Sequence, residues 1–182
     1  PGVTNPFTLV PLTPSTTYDY YVQADCGGGD ISTWGGPFTF TTPCAPSVAP
    51  YLQTFDNPSL PLCWSDAVTT GDGWRYTGAP GWGSASATDH TGNSGSFAWV
   101  DFSGSDAGTI LTSTDIDVSS LNSPELRFYY HSVNTNSSAT NILYVEYYDG
   151  TSFVSLDTLQ KLNNGWENYT ISLNGSTFNT NF

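Results

Sequence analysis

The chain has 182 residues, with 3 Lys or Arg against 16 Asp or Glu and a formal net charge of −13. So few cations cannot neutralise a phosphate backbone, which excludes nucleic-acid binding, and no run approaches the roughly 18 apolar residues of a membrane span. Aromatic residues make up 15% and charged residues 10%; the chain therefore has ample apolar surface to fold around and owes its polar surface mainly to Ser, Thr, Asn and Gly.

Along the chain, strand alternation recurs and helical periodicity is nearly absent. The runs from Tyr18 to Ala24 and from Gly36 to Thr42 are rich in β-formers. Pro43, Pro46 and Pro50 then crowd one stretch. Proline lacks the donor that a ladder needs, so residues 44–50 read as a linker between a first domain, 1–43, and a second, 51–182. The first piece is close to the ~40-residue limit for independent folding and is expected to be incomplete, as the opening Pro1-Gly2 also suggests. Further strands are expected from Ser96 to Asp101, Glu125 to His131, Ile142 to Tyr148, Ser152 to Leu156 and Trp166 to Leu173. A hairpin dipeptide, Asp149-Gly150, joins the third of these to the fourth. Short strands punctuated by turn residues predict an all-β class, two β-sandwiches in tandem.

The chemistry-bearing residues are few. Cys26, Cys44 and Cys63 allow one bridge and one free thiol, or three buried thiols; the low Lys and Glu content favours an extracellular chain. His90 and His131 lack any HxxxH or CxxC company and read as structural. Asp115 and Asp117 stand two apart, as glycosidase carboxylates can, but read as a solvated strand face near a turn. Gly92-Asn93-Ser94-Gly95 is not a nucleophile elbow, so no enzyme is expected. Trp82, set among Gly and Pro, suits a sugar-stacking platform that Trp74 and Tyr76 extend, or else an aromatic folded back onto the sandwich. Trp64 and Trp99 read as core. Asn136, Asn168 and Asn174 fit the N-x-S/T pattern.

Two resemblances organise these residues. Leu12-Thr13-Pro14-Ser15-Thr16-Thr17-Tyr18-Asp19-Tyr20-Tyr21-Val22 resembles the later strands of a fibronectin type III (Ig-like) domain. There a Tyr at the position of Tyr18 reaches back to nearby backbone. From about Pro50 the chain is similar to MAM domains, in the divergent form of large secreted bacterial proteins. Thr54-Phe55-Asp56, Pro61-Leu62-Cys63-Trp64, the run from Asp89-His90-Thr91 to Phe97, and Leu126-Arg127-Phe128-Tyr129-Tyr130 carry that likeness. It implies a jelly roll; the family's closing "D-D-I/V" strand has no counterpart here.

The resemblance further implies a structural Ca²⁺ held by Asp56 and Asp89, and a Cys44–Cys63 disulfide with Cys26 left over. It implies a non-catalytic protein exported to the cell surface, by a type IX route in a Bacteroidota-type setting. Asp157-Thr158-Leu159 resembles the O-glycosylation acceptor of that group, which marks Thr158. The expected role is adhesion or carbohydrate binding. The expected partners are a polysaccharide, a cell-surface glycan or neighbouring domains of the same chain. A spacer in a surface stalk, or an ancillary domain of a secreted hydrolase or peptidase, are the alternatives.

Overall fold

A computed structural model of the chain describes residues 3, 6–68, 71, 73–78, 88–91, 95–101, 108–132, 142–160 and 165–173. Among the described residues the regular elements are ten strands, with no helix. The chain divides into two compact units, Pro1–Ala45 and Pro46–Phe182.

The first unit is built on one antiparallel pair, β1 (Thr17–Val22) and β2 (Gly35–Thr41). Because side chains alternate across a strand, one face of the pair is aromatic and the other hydroxylic. Tyr18 lies opposite Phe40 and Tyr20 opposite Phe38, with ring centroids 5.8 and 5.3 Å apart. On the other face Thr39 Oγ1 donates to Asp19 Oδ1 at 2.6 Å. The Tyr18 hydroxyl accepts the Thr13 N–H at 2.9 Å, the back-reaching corner contact expected at this position. Gly36, at φ 135°, is required by space as well as by dihedral: a Cβ there would sit 2.8 Å from the Tyr20 carbonyl oxygen.

The second unit opens inside the segment that the sequence reads as a linker. β3 (Ser47–Val48) pairs in parallel with β6 (Ile116–Asp117). Ser47 N–H donates to Asp115 O at 2.8 Å and Ala49 N–H to Asp117 O at 2.9 Å. Alternate amides of a strand point the same way, so positions 46, 48 and 50 face away from the ladder. Two of those three are prolines, whose missing donors are not needed there.

β4 (Ser65–Ala67) pairs with β5 (Ile110–Thr112), and β7 (Glu125–Tyr130) with β10 (Glu167–Ser172), both antiparallel. β8 (Leu143–Tyr148) pairs with β9 (Phe153–Leu159), antiparallel; like β4 and β5, these two are consecutive in the chain. The strand expected from Ser96 to Asp101 is, among the described residues, a single bridge from Trp99 to Arg75. Reciprocal backbone bonds of 2.8 and 2.9 Å make it, and the Arg75 guanidinium rests 4.8 Å above the Trp99 ring.

The β8–β9 turn differs in detail from a two-residue Asp-Gly loop. Asp149 stands before it, its Oδ1 accepting the Thr151 and Ser152 N–H groups at 2.7 and 2.8 Å. Gly150, at φ 95°, takes the first central position, where a positive φ favours glycine. β9 also runs three residues beyond its expected end because of a bulge. Glu146 faces Ser155 and Val145 faces Asp157, so Leu156 and Asp157 together oppose one residue. That extra residue resets the alternation: Val154 and Leu156 point inward, and so does Leu159, three positions on.

The interior of the unit is aromatic and aliphatic. Tyr76, Tyr130, Tyr147, Leu159 and Leu173 are buried. Tyr169 stacks on Phe128 at 5.8 Å and takes the edge of Tyr130 at 5.9 Å. Each such leucine contributes roughly 1.5–3 kcal/mol by leaving water.

Candidate functional site

Asp56 follows Phe55, which is held at φ 58°, and Asp89 sits in the turn Thr88–Thr91. Thirty-odd residues separate them in the chain, yet both carboxylates close on the same glycine. A Cβ built on Gly95 would stand 3.0 Å from Asp89 Oδ2, and nearer still to Asp56 Oδ1. Asp89 is only 8% exposed, and Thr91 Oγ1 donates to its Oδ2. Two carboxylates brought this close repel each other unless something positive joins them. The sequence singles out both aspartates; Gly95, which makes room for them, it leaves inside a motif.

The Asp89 turn is pinned from outside. Trp166 Nε1 donates to Thr88 O at 2.8 Å. The His90 ring stacks on Tyr129 of β7 at 3.3 Å and 26°. His131 lies 5.5 Å from the same Trp166 ring, so both histidines border one indole. His131 Nε2 is buried without a hydrogen-bond partner, and burial lowers its pKa from the usual 6.5. These histidines hold aromatic packing. Among the described residues no group of three or more His, Cys, Asp or Glu is placed to hold a metal.

Of the three aromatic residues expected to meet a sugar, Trp82 lies outside the described residues. Trp74 is half-buried. Tyr76 is 8% exposed and its ring stacks on Phe55 at 6.2 Å; Phe55 in turn takes the edge of Trp64 at 5.3 Å. A ring used in this way has no free face for a pyranose. Its hydroxyl is buried without a partner, as are Trp74 Nε1 and Asp66 Oδ1. Burial first, and the Asp66 charge second, push the Tyr76 hydroxyl up to about 12.

The remaining candidates stay apart. Asp117 Oδ1 accepts the Ser119 N–H at 2.9 Å, and hydrogen bonds from the Ser119 hydroxyl first and its N–H second lower its pKa; it caps a turn. Asp115 gives its carbonyl to β3. Thr158 is exposed on β9, with its N–H donated to Asp157 Oδ1 at 2.7 Å. Asn168 is exposed on β10, whereas Asn136 and Asn174 lie outside the described residues. Cys26 is a free, exposed thiol; Cys44 and Cys63 are disulfide-bonded.

Nested strand pairs, an aromatic interior and a pinned Asp-His-Thr turn define an all-β sandwich unit. The chain belongs to the MAM domain family (meprin/A5/mu), whose family model matches residues 54–182. That fold is a β-sandwich jelly roll; members occur in extracellular or cell-surface proteins and are generally non-catalytic. A stretch of 72 residues is 42% identical to Endoglucanase B of Cellulomonas fimi, covering 38% of this chain and 6% of that protein. The chain thus spans a small fraction of that curated relative. No solved structure matches it, and no helix among the described residues is long and apolar enough to cross a membrane.

Proposed function

We propose that this chain is a non-catalytic extracellular module that attaches its parent protein to a polysaccharide or cell-surface glycan. The observation that carries the reading is aromatic surface left in solvent on regular strands: Tyr20, Tyr21, Tyr129, Tyr144, Tyr148 and Phe153. Sugar rings present flat apolar faces edged by hydroxyls, which suit such rings, and a chain with 3 cations is poorly equipped for acidic partners. The disulfide-bonded Cys44 and Cys63 suit an oxidising, extracellular setting. The Tyr18 corner supports reading the first unit as part of a fibronectin type III domain.

Calcium belongs to the proposal as a structural ion. The donors are hard oxygens, as Ca²⁺ requires, and the absence of a side chain at Gly95 leaves the two carboxylates a shared opening. Asp56 and Asp89 would hold it, with backbone carbonyls and water completing six to eight oxygens. The ion would supply the positive charge that lets two carboxylates converge. The endoglucanase likeness favours a second reading of the context, an ancillary module within a secreted glycan hydrolase.

The test is affinity electrophoresis of the whole chain through gels cast with neutral polysaccharides and with polyuronates. Retardation by a neutral polymer is expected. Unchanged mobility in every gel rejects the glycan-binding reading.

A further inference from the structure

Resting on that reading, we infer that the glycan-binding face is the outer side of the β8–β9 hairpin and that its ligand is a neutral, extended polysaccharide. Several exposed rings among the described residues have other employment. Tyr129 carries the stacked His90, and Tyr20 and Phe38 lie tilted against each other within the β1–β2 face. The β8–β9 pair is different because its inner side is already complete. Leu143, Val145, Tyr147, Val154, Leu156 and Leu159 point inward, with Tyr147 and Leu159 buried. The alternation that satisfies the interior ought to leave a polar outer side.

Instead the outer side carries Tyr144, 61% exposed, with Tyr148 and Phe153 about half exposed. Tyr148 and Phe153 are cross-strand partners, their centroids 5.3 Å apart. Tyr144 is four residues along the same strand, about 13 Å away at a strand's rise. That reach exceeds one pyranose ring and calls for a chain of them. Between the two aromatic ends lies Glu146 opposite Ser155, and Thr158 stands beside Tyr144 as its cross-strand partner. A carboxylate and two hydroxyls are hydrogen-bond partners for sugar hydroxyls.

The charge of this face selects the occupant. Among the described residues of the two strands, its ionisable side chains apart from tyrosine are Glu146 and Asp157, both acidic and exposed, on a chain of net charge −13. Polyuronates, sulfated glycans and anionic membranes are repelled. The exposed apolar groups of the face are all aromatic, with no aliphatic side chain among them. A protein groove-binder would meet no cation among the described residues of these strands, whereas pyranose faces stack on exposed rings and leave the intervening hydroxyls to bond.

The experiment titrates hydroxyethylcellulose and alginate into the whole chain and into Tyr144→Ala, Tyr148→Ala, Phe153→Ala and Trp74→Ala, each checked for folding by urea melting. The unmodified chain binds hydroxyethylcellulose and not alginate. Tyr144→Ala and Tyr148→Ala each weaken binding about tenfold, and Tyr144→Ala keeps the urea midpoint because its ring projects from the outer face. Should Phe153→Ala or Tyr148→Ala melt early through loss of their shared cross-strand pair, Tyr144→Ala still decides the matter. Binding that survives both tyrosine changes, or that is lost only in Trp74→Ala, overturns the placement and leaves the glycan reading standing. Alginate binding overturns the neutral-ligand assignment. Failure of the unmodified chain to bind any neutral polysaccharide removes the placement together with the reading beneath it.

Discussion

The Tyr76 hydroxyl is buried with nothing to bond to, so its desolvation is uncompensated in the folded state. Its pKa of about 12 follows from the same cause, with the Asp66 charge adding to it. Tyr76→Phe keeps the stacked ring on Phe55 and removes only the orphan group. It should stabilise the fold by about 1 kcal/mol, read as a higher urea midpoint at unchanged slope; a lower midpoint would mean that the hydroxyl has a partner. His131 gives a pH dependence with a definite sign. Burial lowers its folded pKa below 6.5, so between that value and 6.5 the unfolded chain binds more protons. Stability from this group is full above 6.5 and falls as pH drops through the lower folded value. The urea midpoint measured from pH 8 to pH 5 should therefore fall less steeply in His131→Asn than in the unmodified chain. Parallel curves would remove burial of His131 as a source of the pH dependence.

At the scale of elements, the β9 bulge makes the sharpest forecast. Leu156 and Asp157 jointly oppose Val145. Deleting Asp157 restores a regular ladder in which Leu156 meets Val145, Thr158 still meets Tyr144, and Leu159 still meets Leu143. Deleting Leu156 instead leaves a carboxylate opposite inward-pointing Val145. The first deletion should melt near the unmodified chain, and the second should lose a good part of the roughly 1.5–3 kcal/mol that a fully buried leucine contributes. Equal melting of the two would mean that the bulge is not where the register places it.

This hairpin also marks how far the sequence could be read. Alternation in β7, β8 and β10 was legible because each strand has one sheltered face and one solvated face, whereas β1 and β2, mostly exposed, were legible from their β-rich composition. The bulge was not legible, since a spacing of two followed by three looks like the end of a strand. β3 was hidden because proline content masks a parallel pairing whose donors fall only on Ser47 and Ala49. The convergence of Asp56 and Asp89 was reachable only through family likeness, since no local pattern joins loops so far apart. The outward aromatics of β8 were implicit in its alternation. Nothing in the sequence says that Tyr129 is occupied by His90 and that Tyr144 is not.

For the molecule as a whole, 16 acidic groups against 3 basic ones make two kinds of cation effect separable. General self-repulsion is relieved by any salt, and the relief grows gradually as the Debye length shrinks from about 30 Å at 0.01 M to about 8 Å at 0.15 M. A bound calcium ion acts differently: it stabilises by mass action, in proportion to the logarithm of its concentration over its dissociation constant. Thermal melting at fixed ionic strength, with sodium chloride exchanged for calcium chloride, isolates the second effect. We expect calcium to raise the melting temperature beyond the sodium curve in the unmodified chain. Asp89→Asn should abolish the excess by removing a charged ligand. Gly95→Ala should abolish it too, because its methyl group would stand 3.0 Å from Asp89 Oδ2 and crowd the opening between the carboxylates. Two results would sink the metal proposal: a calcium curve that lies on the sodium curve at equal ionic strength, or an excess that persists in Asp89→Asn. Screening acts on every carboxylate alike, so only an ion held between Asp56 and Asp89 makes the response depend on one aspartate and one glycine.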